Sequence, residues 1–151
     1  MNATYYRGAE PGIDGYAQLA AFGIRLVIDL RGYDIDPEDQ RRAERAGMKY
    51  VHIPMSSRVP PTGAQIAQFL QLVDQPEHQP VYVHCVGGKH RTGVMTAIYR
   101  ITREGWTAQR AFTEMKSYKY GPTFLHPEFK KFVYDYRVPK TTAVATAGSQ
   151  Q

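Results

Sequence analysis

The chain has 151 residues and a mass of 17.1 kDa, enough for one hydrophobic core and too little for two. Hydrophobic residues make up 42% and charged residues 22%, ordinary globular usage that excludes a disordered chain, a collagen and a disulfide scaffold. The net charge of +5 is lopsided: residues 1–84 hold 8 Lys/Arg against 10 Asp/Glu, and residues 85–151 hold 11 against 4. No apolar run is long enough to span a membrane, and residues 1–7 show no basic patch before an apolar stretch. No secretory signal is therefore expected, and the protein is expected in the cytoplasm, as a monomer. The single cysteine, Cys85, excludes an intramolecular disulfide and is either a small buried apolar residue or a nucleophile.

In chain order, a short helix is predicted after Asp14, with Tyr16, Leu19 and Ala20 inward and Gly23 closing it. A β-type run follows at residues 26–30, then a helix from Pro37, with Asp36 as N-cap and Gly47 at its end. A second β-type run covers residues 50–54, and Ile66, Phe69, Leu70 and Val73 form one apolar stripe at helical spacing. The third run covers residues 80–84. Three more stripes come after it: Val94, Ala97, Ile98 and Ile101; Ala108, Ala111, Phe112 and Met115; Phe129, Phe132, Val133 and Tyr136. Residues 139–151 lack large apolar side chains and are predicted to form a frayed tail, leaving 1–138 as the domain.

Runs alternating with helices predict an α/β fold, a central mostly parallel sheet of about four strands flanked by helices. In such sheets the ligand site lies beyond the carboxyl ends of the strands. Residues 31–36, 55–61 and 85–91 should therefore converge on one edge. The positive half of the chain begins at the cysteine and would steer an anionic partner toward it. No zinc-finger spacing, basic zipper or aromatic RNA-binding signature is present, so nucleic acid is not the expected partner. Lys130, Lys131, Arg137 and Lys140 read as a solvated basic surface.

The run at residues 81–83 leads directly into His84-Cys85-Val86-Gly87-Gly88-Lys89-His90-Arg91-Thr92-Gly93 and then into the stripe that starts at Val94. The thiol thus sits at a strand-to-helix turn, on a glycine-bearing loop that ends at a helix N-terminus. Successive backbone N–H groups in such a loop point into its concavity and make an anion nest. The helix dipole adds partial positive charge, and Arg91 adds a full one on a planar fork suited to phosphate. The same field favours thiolate over thiol, which lowers the pKa of Cys85. Gly87 and Gly88 let the backbone approach phosphate oxygens without a Cβ in the way. Thr92 either steadies the thiolate or simply begins the helix. A Walker A loop is excluded, because His90 rather than Ser or Thr follows Gly88-Lys89. A zinc site from His84, Cys85 and His90 has too few thiolates and poor spacing. His84 reads as a group that orients the loop rather than as a proton carrier.

His84 to Thr92 matches H-C-x-x-G-x-x-R-[ST], and here the chain resembles the cysteine-dependent phosphatases of the dual-specificity and tyrosine phosphatase superfamily. Tyr6-Arg7-Gly8 with Pro11, Leu19, Gly23-Ile24 and Val27-Ile28-Asp29-Leu30-Arg31 resemble the N-terminal half of the small atypical dual-specificity phosphatases. Trp106, Ala111, Glu114-Met115 and His126-Pro127 resemble the helical end of bacterial members, so the likeness covers residues 5–136. Gly88-Lys89-His90-Arg91-Thr92-Gly93 is most similar to the plant and fungal enzymes that act on inositol pyrophosphates. The resemblance implies the cysteine phosphatase fold, with Cys85 as the nucleophile of a phosphocysteine intermediate and Arg91 as the phosphoryl clamp. It implies that the amides from Val86 to Arg91 stabilise the transferring group, and that neither a metal nor a cofactor is required.

These phosphatases often present an aspartate general acid on a loop before the catalytic strand. Here residues 55–63 read Met-Ser-Ser-Arg-Val-Pro-Pro-Thr-Gly, without a carboxylate. Asp74 and Glu77 follow the next helix, on the wrong edge of the sheet. Asp34, Asp36 and His90 remain as candidate acids, although the aspartates read more readily as turn and capping residues and His90 as a substrate contact. The expected partner is an anionic phosphorylated substrate. Lys89 and His90, with Arg58 and Arg31 around the mouth, supply more charge than one phosphate needs, which favours inositol polyphosphates or pyrophosphates. Two alternatives stand beside this: a dual-specificity or tyrosine phosphatase acting on phosphopeptides, and a phosphate-binding module without turnover.

Overall fold

A computed structural model describes residues 3–33, 35–119 and 126–139. The elements run β1 (Tyr5–Gly8), α1 (Gly15–Phe22), β2 (Leu26–Asp29), α2 (Glu38–Arg45), β3 (Lys49–His52) and α3 (Gly63–Asp74). After a 3₁₀ turn at Pro76–His78 come β4 (Val81–His84), α4 (Arg91–Glu104), α5 (Ala108–Ser117) and α6 (Pro127–Asp135). The four strands stand in the order β1-β4-β2-β3, every neighbouring pair parallel. No helix among the described residues is long and apolar enough to cross a membrane. The predicted tail lies outside the described residues beyond Pro139.

Successive side chains of a strand point to opposite faces, and both faces of this sheet are covered. Leu26, Ile28, Val81 and Val83 pack toward α3, α4, α5 and α6, in one core with Phe69, Met95, Ile98, Met115 and Phe129. Val27 points the other way, into a smaller core with Tyr16 of α1, Ala43 of α2 and Met48. The apolar stripes therefore face inward as their spacing predicts. α3 starts at a capping box: the Thr62 hydroxyl accepts from the Gln65 amide, and the Gln65 side chain accepts from the Thr62 amide. Gln65 also donates to the Pro54 carbonyl at 2.7 Å, which anchors the loop at residues 55–61 to the helix behind it.

Strand β1 is an addition to the predicted runs, because Arg7 and Gly8 break its apolar pattern. Pairing with β4, from Tyr5 opposite Val81 to Gly8 opposite His84, is what makes it a strand. Tyr5 locks it to the larger core. Its ring stacks on Tyr99 at 4.5 Å, and its hydroxyl shares a 2.8 Å hydrogen bond with Thr96 of α4.

Arg31 does not lie at the mouth, where the sequence placed it. It is buried behind the strand ends, with Nη2 2.7 Å from both Asp29 and Asp39 and Nη1 2.8 Å from Glu10. The Tyr50 hydroxyl donates to Asp29 as well. One guanidinium thus ties β2, α2 and the segment after β1 together. Three nearby carboxylates explain the correction, since a buried cation is tolerable only where anions compensate it. Burial would raise the pKa of Asp29, but the bonds from Arg31, the field of His84 and the Tyr50 hydroxyl hold it at about 2.

A depressed carboxylate stabilises the fold above its unfolded pKa and loses that contribution as pH falls through its folded one. Asp29 should therefore contribute about 2 kcal/mol at pH 7, lost between roughly pH 5 and pH 2. Urea titrations of wild type and Asp29→Asn should differ most at neutral pH and converge at the acid end. A gap that stays constant across that range would contradict the assignment.

Candidate active site

β4 ends at His84, and the chain turns through residues 85–90 before α4 begins at Arg91. Because β4 lies between β1 and β2, this turn sits at the carboxyl end of a central strand. No acidic residue occupies the first turn of α4, so the positive end of its dipole is not neutralised locally.

Cys85 is 3% exposed, and burial alone would raise its pKa. The hydroxyl and amide of Thr92, the Arg91 charge and the Gly88 amide outweigh burial, so the thiol titrates below its ordinary value. Thr92 Oγ1 is buried without a hydrogen-bond partner in the resting geometry, and its hydroxyl is the strongest of the groups that favour the Cys85 thiolate. His84 is fully buried, and its Nδ1 lies 3.0 Å from the Cys85 carbonyl, so Nδ1 carries the proton and donates. Burial lowers the pKa of this imidazole, and the Asp29 carboxylate only partly opposes that.

Arg91 Nη1 donates to the Met55 carbonyl at 3.3 Å, which brings the loop at residues 55–61 against the thiol loop. Arg58 is exposed on that loop, and Lys89 and Val86 are exposed on the other. His90 is half-buried, its ring 3.8 Å from the ring of His126 at the start of α6. The structure thus gathers Cys85, Val86, Gly87, Gly88, Lys89, His90, Arg91 and Thr92 in one turn, with the Arg58 loop beside it.

The candidate acids divide. The Asp36 carboxylate accepts from the Glu38 amide at 2.9 Å and pairs with Arg42 at 2.8 Å. The amide bond and Arg42 hold it below the usual carboxylate range, as a helix-capping anion. Asp34 lies outside the described residues. Asp74 is paired with Arg103 at 2.6 Å, away from the loop.

Beneath the loop lies a floor that sequence reasoning missed. Arg7 Nη2 donates to the Gly88 carbonyl at 2.7 Å, and the Glu10 amide donates to the Val86 carbonyl at 3.0 Å. Gly88 has φ +71°, and a Cβ there would come within 2.4 Å of the Gly8 carbonyl carbon and oxygen. Gly87 is different, because the nearest atom to its Cβ would be Lys89 Cδ at 3.7 Å. Only the second glycine is demanded by the protein itself. No periodicity marks Arg7 or Glu10, whose partners stand on a loop far along the chain.

Two outcomes follow for folded protein. Thr92→Val removes a buried hydroxyl without changing side-chain volume much, so melting temperature should hold or rise. The pH midpoint of Cys85 alkylation should move up by about one unit. An unchanged midpoint would remove Thr92 from the site. Gly88→Ala should lower the melting temperature by several degrees and abolish phosphate binding, whereas Gly87→Ala should fold normally. Equal behaviour of the two variants would contradict the floor contact.

The chain is 31% identical over 123 residues to the dual specificity protein phosphatase TpbA of Pseudomonas aeruginosa, covering 80% of this chain and 54% of TpbA. It is 25% identical over 122 residues to the inositol diphosphatase DSP2 of Oryza sativa subsp. japonica, covering 78% of this chain and 59% of DSP2. The chain thus spans little more than half the length of the curated relatives it matches. The core catalytic domain of the PP-IP phosphatase SIW14 from S. cerevisiae superposes with a TM-score of 0.80 at 20% identity, over 99% of this chain and 91% of that one. TpbA in complex with pTyr superposes with a TM-score of 0.78 at 26% identity, over 97% and 88%. Matched over residues 1–131, the chain belongs to the family described as DSP-PTPase phosphatase fused to NAD+ kinase.

Proposed function

We propose that the chain is a cysteine-dependent phosphatase that hydrolyses phosphate monoesters or phosphoanhydrides, inositol polyphosphates and pyrophosphates foremost. The observation that carries this is the single turn that joins a thiol of lowered pKa to Arg91, exposed Lys89 and half-buried His90, beside a loop bearing Arg58 but no carboxylate. In this reading Cys85 Sγ attacks phosphorus, the bond to the leaving oxygen breaks, and that oxygen departs with the electron pair. Water then attacks the phosphocysteine, the S–P bond breaks, and thiolate and inorganic phosphate are released. Arg91 and the amides from Val86 to Arg91 hold the three equatorial oxygens through both steps. Thr92 steadies the thiolate, and His84 orients the loop through the Cys85 carbonyl.

The missing carboxylate bears on the substrate. A general acid matters most for a poor leaving group such as an alkyl alcohol, and little for another phosphate. Of the candidate acids, His90 is the one within the loop, and Asp36 is committed to capping. TpbA and DSP2 point to different substrate classes, and exposed Val86, Val59 and Tyr33 on the same edge favour a second reading, in which phosphotyrosine peptides are the substrate. The proposal also takes residues 1–138 as the functional domain with 139–151 as a tail. It puts the enzyme in the cytoplasm, where an unpaired reactive thiol stays reduced.

The test is kcat/KM across leaving groups of graded pKa, with inositol pyrophosphates and phosphopeptides alongside. Phosphoanhydrides and aryl phosphates should be cleaved well and alkyl phosphates poorly. Lys89→Ala and Arg58→Ala should each reduce inositol polyphosphate hydrolysis roughly tenfold while sparing p-nitrophenyl phosphate, because rim charges matter only to extra phosphates. Equal losses on both substrates would assign these residues a structural role. A phosphopeptide preferred over every inositol phosphate would establish the second reading.

A further inference from the structure

The reaction proposed above gives Arg7 no task, yet this guanidinium is 92% buried directly under the loop that would carry it out (8% exposed). We propose that Arg7 is a positioning residue, which aims the Gly88–Lys89 peptide at the bound anion from below and places a positive charge without an ion-pair partner beneath the thiolate. This rests on the phosphatase reading for its catalytic consequence, but not for its effect on the thiol or on phosphate binding.

The geometry of the peptide group gives the first reason. In a planar trans peptide the C=O and N–H point in opposite directions. Arg7 Nη2 draws the Gly88 oxygen downward at 2.7 Å, and the same bond therefore turns the Lys89 N–H upward into the concavity. The Glu10 amide acts likewise on the Val86 oxygen at 3.0 Å, which turns the Gly87 N–H upward. Without these partners the carbonyls would be free to rotate inward and repel a phosphate. Gly88, in the left-handed region and pressed on Gly8 and Ala9, allows the loop to come low enough for the Arg7 bond to form.

Charge gives the second reason. Arg7 Nε and Nη1 are buried without hydrogen-bond partners, and among the described residues no carboxylate forms an ion pair with it. Its guanidinium carbon instead lies 3.9 Å from the centre of the Tyr118 ring. The titratable groups that face it are Tyr5 on its own strand, Tyr118 and Glu114 from the α5 side, and Cys85 in the loop. A buried cation without an ion-pair partner is expensive unless a nearby anion repays it. Arg31, by contrast, has three carboxylates within 2.8 Å. Glu114 reaches Arg7 only through its field and is itself paired with Arg100 at 3.0 Å, so the thiolate of Cys85 and the phosphoryl group it would attack are the anions left to Arg7. Burial lowers the Arg7 pKa, and the field of Cys85 is among those that oppose the shift.

The experiment compares Arg7→Met, Arg7→Gln and Arg7→Lys with wild type by three readouts. These are the pH midpoint of Cys85 alkylation by iodoacetamide, calorimetric binding of inorganic phosphate, and kcat and KM for p-nitrophenyl phosphate. Melting temperature is recorded for each. Arg7→Met should raise the alkylation midpoint by about one unit and weaken phosphate binding about tenfold. It should lower kcat roughly tenfold or more, the scale of a misdirected oxyanion donor. Arg7→Lys, which keeps the charge, should hold the midpoint near wild type, and Arg7→Gln, which keeps only a donor, should not. A well-folded Arg7→Met with unchanged midpoint and phosphate affinity would overturn the proposal, whatever its melting temperature. Should these variants fail to fold, the wild-type Arg7 Nε–H resonance decides. It should shift with the midpoint of the thiol titration and again on phosphate addition, and a resonance unmoved by both would overturn the proposal. Alkylation and phosphate binding need no turnover, so failure of the phosphatase reading would show separately, as wild type inert on every phosphate ester and anhydride.

Discussion

One thiol, placed at the end of a central strand and almost cut off from water, sets the terms for the surrounding structure. Cys85 is 3% exposed, and desolvation of its thiolate is the largest single influence on its titration. A lone hydrogen bond contributes about 1 kcal/mol net, and desolvating an ion costs several, so one donor would not hold this charge. The net lowering of the thiol pKa comes from many groups acting together: the Thr92 hydroxyl and amide, the Arg91 charge and the Gly88 amide. Each is local to the turn and the first residues of α4, which explains why a strand-to-helix junction is the place where such a charge is found.

The rest of the fold keeps that turn in shape and keeps competing anions occupied. β4 lies between β1 and β2, so the loop rests on Gly8, Ala9 and Glu10 on one side and faces the end of β2 on the other. Acidic residues cluster close by: Glu10, Asp29 and Asp39. Arg31 pairs with all three, which neutralises negative charge beside the loop. The third segment of the edge, residues 55–61, is held by the Gln65 bond to Pro54 at its base and by the Arg91 bond to Met55. Arg58 and Lys89 are left exposed on the two loops that form the mouth.

What could be read from the sequence was what neighbouring residues decide among themselves. The stripe Ile66, Phe69, Leu70 and Val73 is buried on α3, and the run at residues 80–84 contains β4. The loop from Cys85 to Arg91 was equally legible, since its glycines, its arginine and the helix after it are contiguous. Strand β1 was not, because its stability comes from a partner strand far along the chain rather than from its own pattern. The same holds for Arg7, whose hydrogen-bond partner is 81 residues away, and for Arg31, whose carboxylates come from three separate elements. His126 against His90 belongs to this class too. Spacing tells which side chains share a face, but which distant charge meets them is set by tertiary packing.

The most direct test of the central claim is to catch the phosphoryl group on Cys85. Wild-type protein would be mixed with a labelled aryl phosphate, quenched in acid within the first turnover, digested and examined by mass spectrometry. The account predicts one phosphoryl group on the Cys85 peptide, formed in a burst and decaying at the rate of turnover, with Cys85→Ser inactive yet still able to bind phosphate. Steady turnover without any adduct on that peptide, or near wild-type activity in Cys85→Ser, would contradict it.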